Sequence, residues 1–332
     1  MGLHLSPEEK AFFAKVRPIG LILFARNCAT PEQIRTLINE FRAAVGMPQA
    51  LVLIDQEGGR VQRLRPPYWR AYPPAAAAAN LAAKDLKLGK RATYLQARLI
   101  ASELQLLGIS VACAPVLDIP IPGAHDVIGD RALGSDAETV AMLGREVCEG
   151  LLDGGVLPVL KHMPGHGRSR VDSHFELPIV DAPAADLAKT DFLPFRKLNP
   201  YPLGMTAHVV YTAFDDQNPA TVSNRIISEI IRGEIGFDGL LMSDDLSMRA
   251  LKGDFTDRAR KSLDAGCDVI LHCNGNMGEM QAIIGGIHDL SGLSARRLER
   301  AQALIKPPKA FDAEEAWNEL STLLGLEMSA AS

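Results

Sequence analysis

The sequence predicts an α/β protein: a single-domain (β/α)8 TIM-type barrel over residues 1–326, with a tail at 327–332. Three observations carry this. Short apolar runs alternate with longer amphipathic segments along the chain. The runs are apolar throughout, as strands covered on both faces must be, and do not alternate apolar with polar. Polar residues collect at the carboxyl ends of many runs: Asp55, Asp118, Lys161, His162, His208, Asp244, Asp245 and His272. A doubly wound open sheet also fits the alternation. It concentrates chemistry at one switch point, however, whereas a barrel recruits it from the ends of many strands.

The elements follow in order. Ile19–Phe24 is the first strong strand, and Thr30-Pro31-Glu32 opens a helix with Thr30 as N-cap and Pro31 at the first helical position. Leu51–Ile54 is the second strand. A long helix follows, with Ala92, Leu95, Leu99 and Leu106 on its apolar face and Gly108 as its stop. Ser110–Val116, Leu157–Leu160, Leu203–Thr206, Gly239–Ser243 and Val269–His272 read as five more strands. Helical stretches near 136–153, 184–198, 224–234, 257–265 and 277–289 lie between them, and a last helix covers Ala313–Leu324. An eighth barrel strand must then come from Gly2–Leu5.

Composition narrows the function. With 47% hydrophobic and 23% charged residues over 332 positions, the chain can bury a large core. A net charge of −5 argues against nucleic-acid binding. The one basic cluster, Arg296, Arg297 and Arg300, has the spacing of a solvated helix face. Five scattered cysteines without a CxxC pair fit reduced thiols in the cytoplasm. No secretory leader is legible, and no apolar run is long enough to span a bilayer. A monomer without a cofactor, acting on a small molecule, is the expectation.

Four segments carry chemistry. Lys161–His174 holds three histidines and one carboxylate in fourteen positions, with Gly165 and Gly167 as hinges. Asp172 and His174 are two apart, so in extended chain they project together and the carboxylate can orient the imidazole as a general acid/base. The rival is a metal site of His162, His166 and His174 with Asp172 or Asp244, although no HxH or HExxH spacing is present and Lys161 adds a cation. In Leu241–Met248, strand alternation sends only one of Asp244 and Asp245 into the mouth, leaving the other to cap a helix. In Ile54–Arg63 a Gly58-Gly59 turn is flanked by Asp55 and Arg63, a carboxylate for hydroxyls and a cation to hold it. In Ile128–Gly134, Arg131 is either a structural ion-pair residue or a substrate clamp.

The strings IDQEGGRVQR, GDRALG, KHMPGHG followed by DSH, and MSDDLSM, in this order, resemble the bacterial β-N-acetylglucosaminidases of glycoside hydrolase family 3. The resemblance runs from about Ile19 to Leu271. It implies a single-domain barrel, retaining hydrolysis and a role in cytoplasmic peptidoglycan recycling. It also implies that Asp244 is the nucleophile, that His174 on a mobile loop is the acid/base, and that Asp172 is its partner. Asp55, Arg63, Arg131, Lys161 and His162 match the residues that bind N-acetylglucosamine. No cofactor or metal belongs to that pattern. Some relatives with a histidine acid/base are phosphorylases, and Arg168 and Arg170 keep that alternative open. Met163 stands where the family has Phe, and the shorter N-terminus makes Gly2–Leu5 a cut-down or rebuilt first strand.

Overall fold

The computed structural model describes residues 1–173 and 176–326. Its main sheet is parallel, and its seven strands pair in chain order: β1 (Gly20–Leu23), β2 (Leu51–Ile54), β3 (Val111–Ala112), β4 (Leu157–Met163), β5 (Leu203–Thr206), β6 (Leu240–Asp245) and β7 (Val269–Leu271). Alternate residues point to opposite faces. Ile22, Leu53, Val111, Val159, Met205 and Met242 pack into one cluster on the concave side. Leu23, Val52 and Ile54 pack outward against Ile34, Leu37, Phe41 and Leu99 of the covering helices. One domain with both sheet faces buried results.

The helices are α1 (Pro7–Val16), α2 (Pro31–Val45), α3 (Ala75–Ala82), α4 (Leu86–Leu107), α5 (Ala137–Asp153), α6 (Ala184–Lys189), α7 (Phe192–Lys197), α8 (Phe255–Ala265), α9 (Met277–Ile284), α10 (Gly292–Gln302) and α11 (Ala313–Leu324), with a wider-turned helix at Ile226–Glu234. Their ends are where side chains dictate. The Thr30 hydroxyl accepts from the Gln33 amide to start α2, and Asp85 accepts from Leu88 to start α4. Gly108 closes α4 at φ +83°, a left-handed conformation that a Cβ disfavours. None of the described helices is long and apolar enough to cross a membrane.

The expected eighth strand is a correction. Gly2–Leu5 forms no strand, because Ser6 and Glu9 make a capping box that starts α1 at Pro7. Side chains occupy the neighbouring backbone: Asn27 Nδ2 donates to the Gly2 carbonyl at 2.8 Å, and the Leu5 amide donates to Glu40 Oε2 at 3.0 Å. The sheet is therefore a curled partial barrel. Among the described residues β1 and β7 each have one strand neighbour. Both line the same apolar cavity of about 230 Å³, together with Phe12 and Phe13 of α1 and Met280 and Ile283 of α9. Across this seam Arg26 donates to the Cys273 carbonyl.

Candidate active site

A second cavity, of about 180 Å³, opens at the carboxyl ends of the strands, and Asp55, Arg63, Arg131, Lys161, His162 and Asp244 all line it. Asp55 follows β2 directly. Beyond it a two-stranded hairpin (Gln56–Gly58 with Val61–Gln62) folds back through two left-handed glycines, Gly58 at φ +101° and Gly59 at φ +56°. A Cβ on Gly58 would lie 2.3 Å from the Pro73 carbonyl oxygen, so this turn requires glycine. Gln56 is buried inside the hairpin, and its Oε1 accepts from the amides of Arg63 and Leu64. That fixes Arg63, whose Nη2 donates to Asp55 Oδ2 at 2.9 Å.

The hairpin also carries Glu57, the residue the sequence reading missed. Lys161 Nζ donates to Glu57 Oε1 at 2.7 Å and to Asp55 Oδ1 at 3.0 Å. Arg131, from a helical turn at Gly129–Arg131, grips both Glu57 oxygens at 2.8 Å. Burial opposes ionisation of both acids, yet Lys161 with Arg63 or Arg131 offsets it and holds both carboxyls below their usual range. Lys161 is buried too, and its flanking acids hold its ammonium charged more firmly than usual. One signal was available. The sugar-binding set implied by the resemblance holds three cations, Arg63, Arg131 and Lys161, against one acid, Asp55, and Glu57 lies two residues from Asp55.

Asp118 is the second omission from the assigned site. It is wholly buried beyond the short β3. Its Oδ1 accepts from the backbone amides of His162 and His166, and its Oδ2 lies 2.6 Å from His162 Nδ1. Burial would raise its pKa, but the His162 ring and these hydrogen bonds bring it down to about 2. An anionic Asp118 makes His162 Nδ1 a donor and leaves Nε2 for the cavity. Lys161 and His162 lie inside β4, not in a loop after it. The pairing of β4 with β5 shifts register between Leu160 and Met163, and both consecutive side chains reach the cavity.

A register shift between Met242 and Asp245 in β6 has a similar effect. Strict alternation predicted one acid in the mouth, and both line it. Their partners separate them. Asp245 Oδ1 accepts from the amides of Ser247 and Cys273, tying β6 to the exit of β7. It caps this turn and not the next helix, which starts on Asp254. Asp244 accepts only the Asp245 amide, at 2.8 Å, among the described hydrogen bonds. Burial would raise its pKa, but His162, His208 and that amide hold it below the usual range.

The loop after β4 is held by polar contacts. Tyr211 Oη donates to the Gly165 carbonyl at 2.7 Å, and Arg168 donates to Asp191 Oδ2 at 2.7 Å and to Thr190. Arg168 is thus engaged away from the cavity lining. Asp172 is half-buried and is not among the lining residues. His174 and the tail at 327–332 lie outside the described residues. Among the described residues no three His, Cys, Asp or Glu side chains converge as a metal-holding group. Of the basic cluster, Arg297 and Arg300 are not merely solvated: both pair with Asp238, and Arg297 also reaches the buried Asp268.

A curled parallel sheet with a charged cavity at its carboxyl edge defines a barrel-type enzyme site. The family profile described as "Glycosyl hydrolase family 3 N terminal domain" matches residues 3–306. A β-hexosaminidase from Alkalilimnicola ehrlichii is 41% identical over 303 residues, covering 90% of this chain and 86% of that one. Another, from Mannheimia succiniciproducens, is 37% identical and covers 96% and 91%. NagZ from Neisseria gonorrhoeae, solved with N-trifluoroacetyl-D-glucosamine, superposes with TM-score 0.85 at 31% identity, over 98% of this chain and 96% of that one. The chain belongs to glycosyl hydrolase family 3. Within it, the protein is a glycoside hydrolase of the β-N-acetylhexosaminidase class, with β-N-acetylglucosaminidase activity.

Proposed function

We propose that this enzyme is a retaining exo-β-N-acetylglucosaminidase. It removes terminal N-acetylglucosamine from peptidoglycan-derived muropeptides (GlcNAc-1,6-anhydro-MurNAc-peptides). It does so in the cytoplasm, as a monomer, during the cell-wall recycling that accompanies growth and division. The observation that carries the reading is Asp244, a carboxylate lining the strand-end cavity, kept ionised by neighbouring imidazoles and spared the structural bonds that occupy Asp245. Asp244 attacks the anomeric carbon while the glycosidic oxygen leaves with a proton from His174. The neutral imidazole then takes a proton from water as that water attacks the same carbon, releasing the sugar with retained configuration and regenerating Asp244. Asp172 orients His174. An imidazole suits this task because it titrates near neutrality and adds no second anion beside the nucleophile.

Asp55, Arg63, Arg131, Lys161 and His162 bind the sugar, with Asp55 accepting from its hydroxyls. The acetamide is not the nucleophile in this reading, since Asp245 is engaged by backbone amides and cannot join Asp244 in orienting it. The test is labelling with a 5-fluoro N-acetylglucosaminyl donor. A modified peptide containing Asp244 is expected, and D244A should lower kcat/KM by at least about a thousandfold without unfolding. Tight thiazoline inhibition with Asp244 unlabelled would overturn the mechanism. Aryl glycoside turnover with and without phosphate and chelator tests the phosphorylase and metal alternatives, and neither addition should change it.

A further inference from the structure

His166 has no part in the mechanism above, yet its surroundings are built with care. The residue is 3% exposed and lines the cavity. Its backbone amide donates to Asp118 Oδ1 at 2.6 Å, so the carboxylate that orients the His162 ring also fixes this residue's main chain. The two imidazoles meet edge to face, with centroids 5.8 Å apart. On its far side His166 Nε2 lies 3.2 Å from Oγ of Ser173, which is equally buried. Nδ1 is buried and has no hydrogen-bond partner among the described residues. Ser173 is seven positions along the loop, and the residue after it in sequence is His174.

We infer that His166 is a positioning residue that holds Ser173, the residue before His174 in sequence, in register with the Asp118–His162 pair. The inference rests on the acid/base role proposed for His174. Its physical content is a chain of contacts from the sugar-binding wall to the acid/base segment: His162 to Asp118, Asp118 to the His166 amide, the His166 ring to the Ser173 hydroxyl. A neutral ring suits this link, because it carries one donor and one acceptor nitrogen and Ser173 can meet either. Burial keeps it neutral by pushing its pKa down to about 4. Proton transfer is sensitive to placement, so a loosened link should slow the protonation-dependent part of turnover and leave sugar binding intact.

The experiment compares aryl β-N-acetylglucosaminides with good and poor leaving groups in S173A, S173T, H166N and H174A. S173A and H166N are expected to lose about tenfold or more in kcat on the poor leaving group and less than about threefold on the activated one, with KM unchanged. S173T retains the hydroxyl and should recover most of the loss. Equal losses on both substrates, or S173T no better than S173A, would overturn the inference. Should S173A fail to fold, the same reading comes from H166N. H174A separates the two levels. If it shows no leaving-group dependence, the acid/base reading itself fails; if it shows one that S173A and H166N lack, only the link is refuted.

Discussion

At the scale of single residues the site is an ion lattice whose members were half visible. Asp55, Lys161 and Arg131 could be assigned from motif position, but Glu57 joins Lys161 to Arg131 only because the hairpin folds back over β4. Removing its charge leaves Arg131 with no carboxylate partner among the described residues, and Lys161 sharing Asp55 with Arg63. E57Q should therefore cost about 3 kcal/mol in stability, read by denaturant titration, and raise KM more than it lowers kcat. Asp118 gives a pH-dependent case. Its folded pKa, about 2, lies below the ordinary 3.8, so its contribution is complete above the unfolded value and disappears as pH falls through the folded one. In D118N the amide oxygen can still accept from the two backbone amides. Its stability deficit should therefore be about 2 kcal/mol at neutral pH and shrink between about pH 4 and pH 2. A deficit constant across that window would show that the charge is not what matters.

Secondary-structure elements were more legible than the site. The caps at Thr30 and Gly108, the helix at Ala313–Leu324 and seven of the strands are local: hydrophobic period, a side-chain acceptor or a glycine decides each. Misreadings occurred where distant segments decide. Gly2–Leu5 has strand composition, but Asn27, Gln33 and Glu40 take its backbone groups. Lys161 and His162 share a wall because of a register shift that depends on β5, about forty residues away. The loop after β4 carries hinge glycines at 165 and 167, and polar anchors from distant segments hold its first half. Gly167 shows how tightly, since a Cβ there would sit 2.0 Å from the Ile119 carbonyl oxygen. G167A should displace the loop and cost activity about a hundredfold, with a smaller effect on the melting transition. Wild-type kinetics in G167A would mean the loop has slack elsewhere.

For the whole molecule, the consequence lies in the seam. Strands β2 to β6 are flanked on both sides, and they carry Asp55, Lys161, His162 and Asp244 at or just beyond their ends. Ile22, Phe24, Leu271 and Cys273, which line the same cavity, belong to β1 and β7 or lie just beyond them. Among the described residues those strands have one ladder each, and both line the seam cavity. Hydrogen exchange should reveal the contrast: amides within 20–23 and 269–271 should exchange faster than those of β4 and β5, and an N-acetylglucosamine-like inhibitor should slow them. Uniform protection across all seven strands would contradict this. Asp55, Lys161, His162 and Asp244, proposed to bind and cleave the sugar, are thus anchored at strands paired on both sides. The part of the lining made by Ile22, Phe24, Leu271 and Cys273 comes from strands paired on one side among the described residues, the more compliant arrangement. Variation in the sugar's substituents would then be absorbed by that yielding wall, sparing the distances on which bond cleavage depends.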